Sequence, residues 1–245
     1  MSLLDDLLES LEEDAPIRNV LVGVHWTLVC SRRCGLASTI TDHTPYKRSA
    51  VREVGNLHHK SARQLAEYAR SDNPLEASLG VAAINSLLPV DESRAVEINA
   101  LHVLSEHGKG KNVALVGHFP FIPRLRPEVG QLWVIELRPA EDDHPAEAAA
   151  ELIPQADVVA ITSSALINHT LDSLLALCRP EALVMMLGPS TPLSRVLFEH
   201  GVDILSGSIV VDEGAVARTV GQGASFQQVT GVRLLTFRRE QWNSR

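Results

Sequence analysis

Five short apolar runs in the second half of the chain, at residues 113–116, 132–137, 158–161 and 183–187 and around Ile204, restrict the fold more than any other feature. Each is continuous rather than alternating, and helical patterns separate them. A strand that is apolar at every position is buried on both faces, and strands of that kind joined by helices form a parallel sheet covered on both sides. The pattern predicts a Rossmann-like, doubly wound, mostly parallel sheet over residues 108–245.

The first half reads differently. Ser2 can cap a helix whose Leu3, Leu4, Leu7, Leu8 and Leu11 recur at helical spacing, with Asp5 and Asp6 suited to its N-terminal dipole. Residues 19–30 read as one Val-rich strand. The turn Ser31-Arg32-Arg33 and a second extended piece through Ile40 complete a hairpin. Helices follow at 61–70 and 75–88, the second starting behind Asn73-Pro74 and stopping at Pro89. Asn99 caps a short helix through Glu106, and His107-Gly108-Lys109-Gly110 ends it with glycine. The expected fold class is therefore α/β in two domains, an α+β unit at 1–107 and the Rossmann-like unit at 108–245.

Composition removes several function classes. The net charge is −8, and the basic pairs Arg32-Arg33 and Arg238-Arg239 form no polybasic patch, so nucleic acid is not an expected partner. The first ten residues are acidic and lack the apolar core of a signal peptide, and no apolar run approaches the ~18 residues of a membrane span. A cytoplasmic location without membrane contact is expected, and with it reduced thiols at Cys30, Cys34 and Cys178. The apolar face of the first helix is compatible with a homodimer and equally with packing inside the chain.

In open parallel sheets ligands bind at the carboxyl ends of the strands. The loops expected there carry Gly117-His118-Phe119, Glu136, Thr162-Ser163-Ser164 and Gly188-Pro189-Ser190-Thr191-Pro192. Glu136 lies 19 residues beyond Gly117, close to the ~20-residue offset at which a Rossmann acid meets a ribose hydroxyl. No GxGxxG fingerprint accompanies it, so an S-adenosylmethionine-like or other nucleoside ligand fits better than a dinucleotide; the plain alternative is a strand-end ion pair with Arg138 or Lys111. Thr191-Pro192 reads as an N-cap and first helical residue whose free amides, beside Ser190, can hold an anion. Asn168 reads as the cap of the helix containing Leu171 and Leu174. Ser163 and Ser164 lack a GxSxG elbow and read as hydrogen-bonding groups. His118 is the candidate acid/base.

Cys30 and Cys34, with His25 upstream, offer soft donors to a transition metal. The ordinary alternative is two small buried residues flanking a hairpin turn.

Four ordered motifs, Cys34-Gly35-Leu36-Ala37-Ser38-Thr39, Val116-Gly117-His118-Phe119-Pro120, Leu187-Gly188-Pro189-Ser190-Thr191-Pro192 and Leu205-Ser206-Gly207, resemble the heavy-metal chelation family of prokaryotic proteins of unknown function. The resemblance covers nearly the whole chain. It implies an N-terminal domain like that of enolase joined to a Rossmann-like domain with partial likeness to methyltransferases. It further implies a site in the cleft between them, acting by condensation or hydrolysis on a pterin-, flavin- or siderophore-like metabolite, or serving metal chelation. Carried onto this chain, the resemblance puts Gly35 and Thr39 on one side of the cleft, and His118, Glu136, Thr162, Asn168, Ser190 and Thr191 on the other. Enolase chemistry itself does not transfer, because its metal carboxylates belong to a barrel absent here.

Overall fold

The computed structural model describes residues 2–41 and 50–243. Helix α1 (Leu3–Glu9) opens with a reciprocal capping box between Ser2 and Asp5. Its face of Leu3, Leu4, Leu7 and Leu8 is buried within the chain against α9 (Arg195–Glu199), so internal packing accounts for that apolar stripe.

Three strands, β1 (Asn19–Val22), β2 (Trp26–Cys30) and β3 (Cys34–Ser38), make an antiparallel sheet. The single strand expected over 19–30 is thus two, because the chain reverses at Gly23, whose N–H donates to the Trp26 carbonyl at 2.9 Å. Glycine inside a strand pattern marks such a break. At the other turn Cys30 pairs with Cys34 across the hairpin, and the two sulfurs are joined as a disulfide. That corrects the expectation of reduced thiols: an antiparallel hairpin closed by three turn residues sets its flanking cysteines directly opposite each other.

Helix α2 (Ala62–Ala66) and the longer α3 (Pro74–Leu87) pack on this sheet. Asn73 caps α3 through the Leu75 N–H, and Pro74 takes the first turn, where its missing donor is harmless. α3 is buried on nearly every side, and a helix apolar all round belongs in the middle of a core.

The second half contains α4 (Ala100–Gly108), β4 (Asn112–Val116), α5 (Ile122–Leu125), β5 (Gln131–Glu136), β6 (His144–Pro145), α6 (Ala149–Leu152), β7 (Val158–Thr162), α7 (Ser164–Ile167), α8 (Leu171–Leu175), β8 (Leu183–Leu187), β9 (Ile204–Val210), α10 (Glu213–Gly221), β10 (Val232–Arg238) and α11 (Arg239–Asn243). Seven strands form one sheet in the order β10-β9-β8-β7-β4-β5-β6, parallel except for β10 at one edge. This is the expected α/β sheet. The chain builds outward from β4 through β5 to β6, then returns to the other side of β4 at β7, which makes the β4/β7 boundary a topological switch point.

Successive residues of the strands point to opposite faces. Val113 and Leu115 join Leu101, Val103 and Leu104 of α4 beneath the sheet, while Ala114 faces the larger core above it. That larger core runs continuously from Leu79 and Ile84 of α3 to Met186, Leu205 and Phe237, so the two halves share one buried interior. At the amino edge of the sheet Asp157 accepts from the Asn112 N–H at 2.9 Å and from Arg179 at 3.0 Å. The Asn112 amide, joined by the Arg179 guanidinium, holds that carboxyl below the usual carboxylate range. No helix among the described residues is long and apolar enough to cross a membrane.

Candidate functional site

A cavity of about 600 Å³ opens at the carboxyl ends of β4, β5 and β7, at the switch point. Its walls are apolar, from Val116, Ile135, Leu174 and Leu177, and its polar groups are few: His118, Glu136, Thr162, Ser164 and Asn168 among them. That mixture suits a ligand with an apolar body and a small number of directed polar contacts.

Local backbone chemistry explains how the loop after β4 turns into the cavity. Gly117 sits at φ +107°, a conformation side chains resist, and a Cβ there would lie 2.8 Å from Thr162 Cβ. The next N–H, of His118, donates to Glu136 Oε1 at 2.7 Å, and the Leu137 N–H donates to Oε2 at 3.0 Å. Glu136 therefore ties the end of β5 to the turn after β4, rather than pairing with Arg138 or Lys111. One backbone donor per oxygen leaves each oxygen a free lone pair.

The His118 ring is half exposed, and its Nδ1 lies 3.0 Å from Asp143 Oδ2. The Asp143 side chain is only 3% exposed and also accepts from the Ala140 N–H. A carboxylate can only accept, so Nδ1 carries the hydrogen, and in the neutral ring Nε2 keeps its lone pair. A ring so oriented can take a proton from a bound molecule and return it. Asp143 escapes sequence reasoning because Glu141-Asp142-Asp143 reads as a solvated acidic turn, and nothing in it singles out the residue that folds inward.

The remaining candidates divide sharply. Gly117, His118, Glu136, Thr162 and Asn168 line the cavity. Asn168 ends α7 instead of capping α8, which begins after Thr170. Gly35, Thr39, Phe119, Ser163, Gly188, Ser190 and Thr191 lie outside the cavity lining. Gly35 is where α3 crosses the sheet, and a Cβ there would sit 2.3 Å from the Ala82 carbonyl oxygen. Thr39 Oγ1 bonds Thr27 Oγ1 at 2.9 Å, and Phe119 stacks on Phe121 with ring centres 5.1 Å apart. Gly188 turns at φ +124° against the Ser163 side chain, and Ser163 is buried.

Ser190 and Thr191 are likewise buried, beneath the N-terminal sheet. Ser190 Oγ accepts the Ser38 N–H at 2.7 Å, and Asn85 Nδ2 donates to the carbonyls of both Leu36 and Ser190 at 3.0 Å. The cap expected at Thr191 is made three residues later, where Ser194 Oγ accepts from Val196 N–H and α9 starts at Arg195. Ser190, expected to meet an anion, instead satisfies buried backbone between the two halves, while the buried Thr191 hydroxyl has no hydrogen-bond partner. Ser164 connects the two settings, since it lines the cavity while its Oγ donates to Ser38 Oγ at 3.3 Å.

Among the described residues one group of Cys, His, Asp or Glu donors converges tightly enough for a metal ion. The sulfurs of Cys30 and Cys34 and a carboxylate oxygen of Glu213 all lie within 4.8 Å of one another. Two sulfurs and one oxygen suit a thiophilic cation, though not while the sulfurs are bonded to each other.

Two family models with the same description, "Putative heavy-metal chelation", match this chain: DUF364 over residues 99–238 and DUF4213 over residues 4–88. An uncharacterized protein of Methanocaldococcus jannaschii is 25% identical over 219 residues, 84% of this chain and 83% of its own. A crystal structure of a DUF364-family protein of unknown function from Desulfitobacterium hafniense superposes with a TM-score of 0.85 at 29% identity, covering 96% of this chain and 97% of that one. Another, from Pyrococcus horikoshii, has a TM-score of 0.80 at 21% identity, covering 96% and 98%, and speaks for the fold alone.

Proposed function

Given that this chain belongs to the DUF364 family, whose description names heavy-metal chelation and two of whose solved structures are of unknown function, we propose that it binds and transforms a small heterocyclic metabolite in the cavity at the switch point. The observation that carries this reading is the His118–Asp143 pair at a cavity of about 600 Å³. A near-buried carboxylate that holds one imidazole nitrogen, as well as closing its own turn through the Ala140 N–H, orients the ring for general acid/base chemistry.

Glu136 supports a nucleoside-, pterin- or flavin-like ligand. Its free lone pairs can accept from ribose hydroxyls or from ring N–H groups, and it stands at the end of the strand beside β4. Thr162, Ser164 and Asn168 supply further polar contacts from the β7 side. Ser38 reaches this rim through Ser164, so the N-terminal half contributes to the site by fixing one wall.

Thermal unfolding of the full chain with S-adenosylmethionine, nucleotides, pterins and flavins tests the reading, since a ligand selective for the native state at a hundred times its Kd adds about 2.7 kcal/mol. One of these classes is expected to raise the melting temperature of the wild type. His118→Ala and Asp143→Asn are expected to fold and to bind, yet to leave the bound compound unchanged when product is assayed. Conversion that persists in His118→Ala would remove it from the chemistry.

A further inference from the structure

Cys30, Cys34 and Glu213 lie at the tip of the β2–β3 hairpin, outside the cavity lining and assigned to no part of the chemistry above. The sulfurs come from two paired strands, and the carboxylate from the first residue of α10, far away in sequence. Cys30 and Cys34 are buried, whereas the Glu213 side chain is 36% exposed, which leaves one open approach. Arg18 closes the group. Its Nη1 is 2.6 Å from Glu213, its Nε donates to the Ser31 carbonyl at 2.7 Å, and its Nη2 is 3.9 Å from Cys34 Sγ.

We propose that the Cys30–Cys34 disulfide is a reducible lock on a metal site: once it is opened, the two thiolates and the Glu213 carboxylate bind one divalent thiophilic cation of the zinc or cadmium type. In the opening step a dithiol reductant gives up two electrons and two protons and becomes its own disulfide. The Cys30–Cys34 bond breaks to two thiols. Cation binding then displaces those two protons, so the loaded group carries two thiolates, one carboxylate and one M²⁺, a net charge of −1. Arg18 offsets that charge. The Ser31 carbonyl anchors the guanidinium independently of Glu213, which sets a positive charge beside Cys34.

Cys178 is a natural control. It is the free cysteine, its Sγ–H donates to the Leu174 carbonyl at 3.5 Å, and burial, with Asp203 nearby, pushes its thiol up to about 11, away from metal binding at neutral pH.

The test is titration of the full chain with Cd²⁺, followed by the ultraviolet absorbance of the cadmium–thiolate bond, on oxidised protein and on protein reduced with a phosphine that leaves no competing thiol. Reduced protein is expected to take up one equivalent and oxidised protein none. Cys34→Ser should abolish the band and Cys178→Ser should leave it intact. Glu213→Gln should keep a band but weaken binding roughly tenfold or more. No band in the reduced wild type, or an equal band in the oxidised wild type, overturns the proposal, and this pair of measurements decides it even if Cys34→Ser does not fold. A band that survives in folded Cys34→Ser also overturns it.

Discussion

The carboxyl edge of the seven-stranded sheet behaves as two regions. After β4 and β5 the loops leave an open cavity lined by His118 and Glu136, with Asp143 behind the His118 ring. After β8, on the far side of the switch point, an equally polar loop is roofed by β3 and the end of α3, and Ser190 and Asn85 bond buried backbone. The two loops look alike in sequence, each a glycine followed by proline and hydroxyl or imidazole groups. What separates them is a second layer of structure that covers one and not the other. Polar residues at a strand end mark a ligand site only where nothing else claims their hydrogen bonds.

Substitutions can break that comparison, and the largest effects belong on the covered side. Gly35→Ala sets a methyl group against the backbone of α3 at Ala82, Asn85 and Ser86, so it should cost roughly 3 kcal/mol in chemical denaturation. A near-neutral result would mean that α3 does not lie on β3 as closely as described. Ser190→Ala strands the Ser38 N–H and should cost about 1–3 kcal/mol while leaving ligand-induced stabilisation unchanged.

The opposite, amino edge should answer to pH instead. Asp157 has a lowered folded-state pKa, so its contribution is complete above the ordinary carboxylate pKa and is lost as pH falls through the lower folded value. Asp157→Asn should therefore flatten the loss of stability between about pH 4 and more acid conditions, measured by melting across that range. The smallest effect belongs to the open side. His118→Ala removes a half-exposed ring and leaves the near-buried Asp143 carboxylate with the Ala140 N–H, so it should cost about 1 kcal/mol.

Much of this architecture was legible in the residues. The apolar runs marked the five central parallel strands, and Asn73-Pro74 and Asn99 marked helix starts, whereas the Gly117–Glu136 offset gave no sign that Glu136 holds the turn after β4. What escaped was whatever depends on contacts distant along the chain. Thr191-Pro192 carries a sound local cap signal, yet the segment is buried, no helix starts there, and the cap passes to Ser194. Asp143 is indistinguishable from its acidic neighbours until the fold brings it under His118. The Cys30–Cys34 bond, by contrast, follows from the hairpin alone, since three turn residues set the two cysteines opposite each other whatever the redox compartment suggests.

The most direct test of the open-edge account is to fill the cavity. Ala150 is exposed on α6 and lines it, so Ala150→Trp should occupy the space without disturbing the core. Melting temperatures of wild type, Ala150→Trp and Ser190→Ala should be compared with the compound that stabilises the wild type. The account predicts that the ligand-induced shift disappears in Ala150→Trp and persists in Ser190→Ala. Loss of the shift in Ser190→Ala with its retention in Ala150→Trp would put the ligand on the covered side and contradict it.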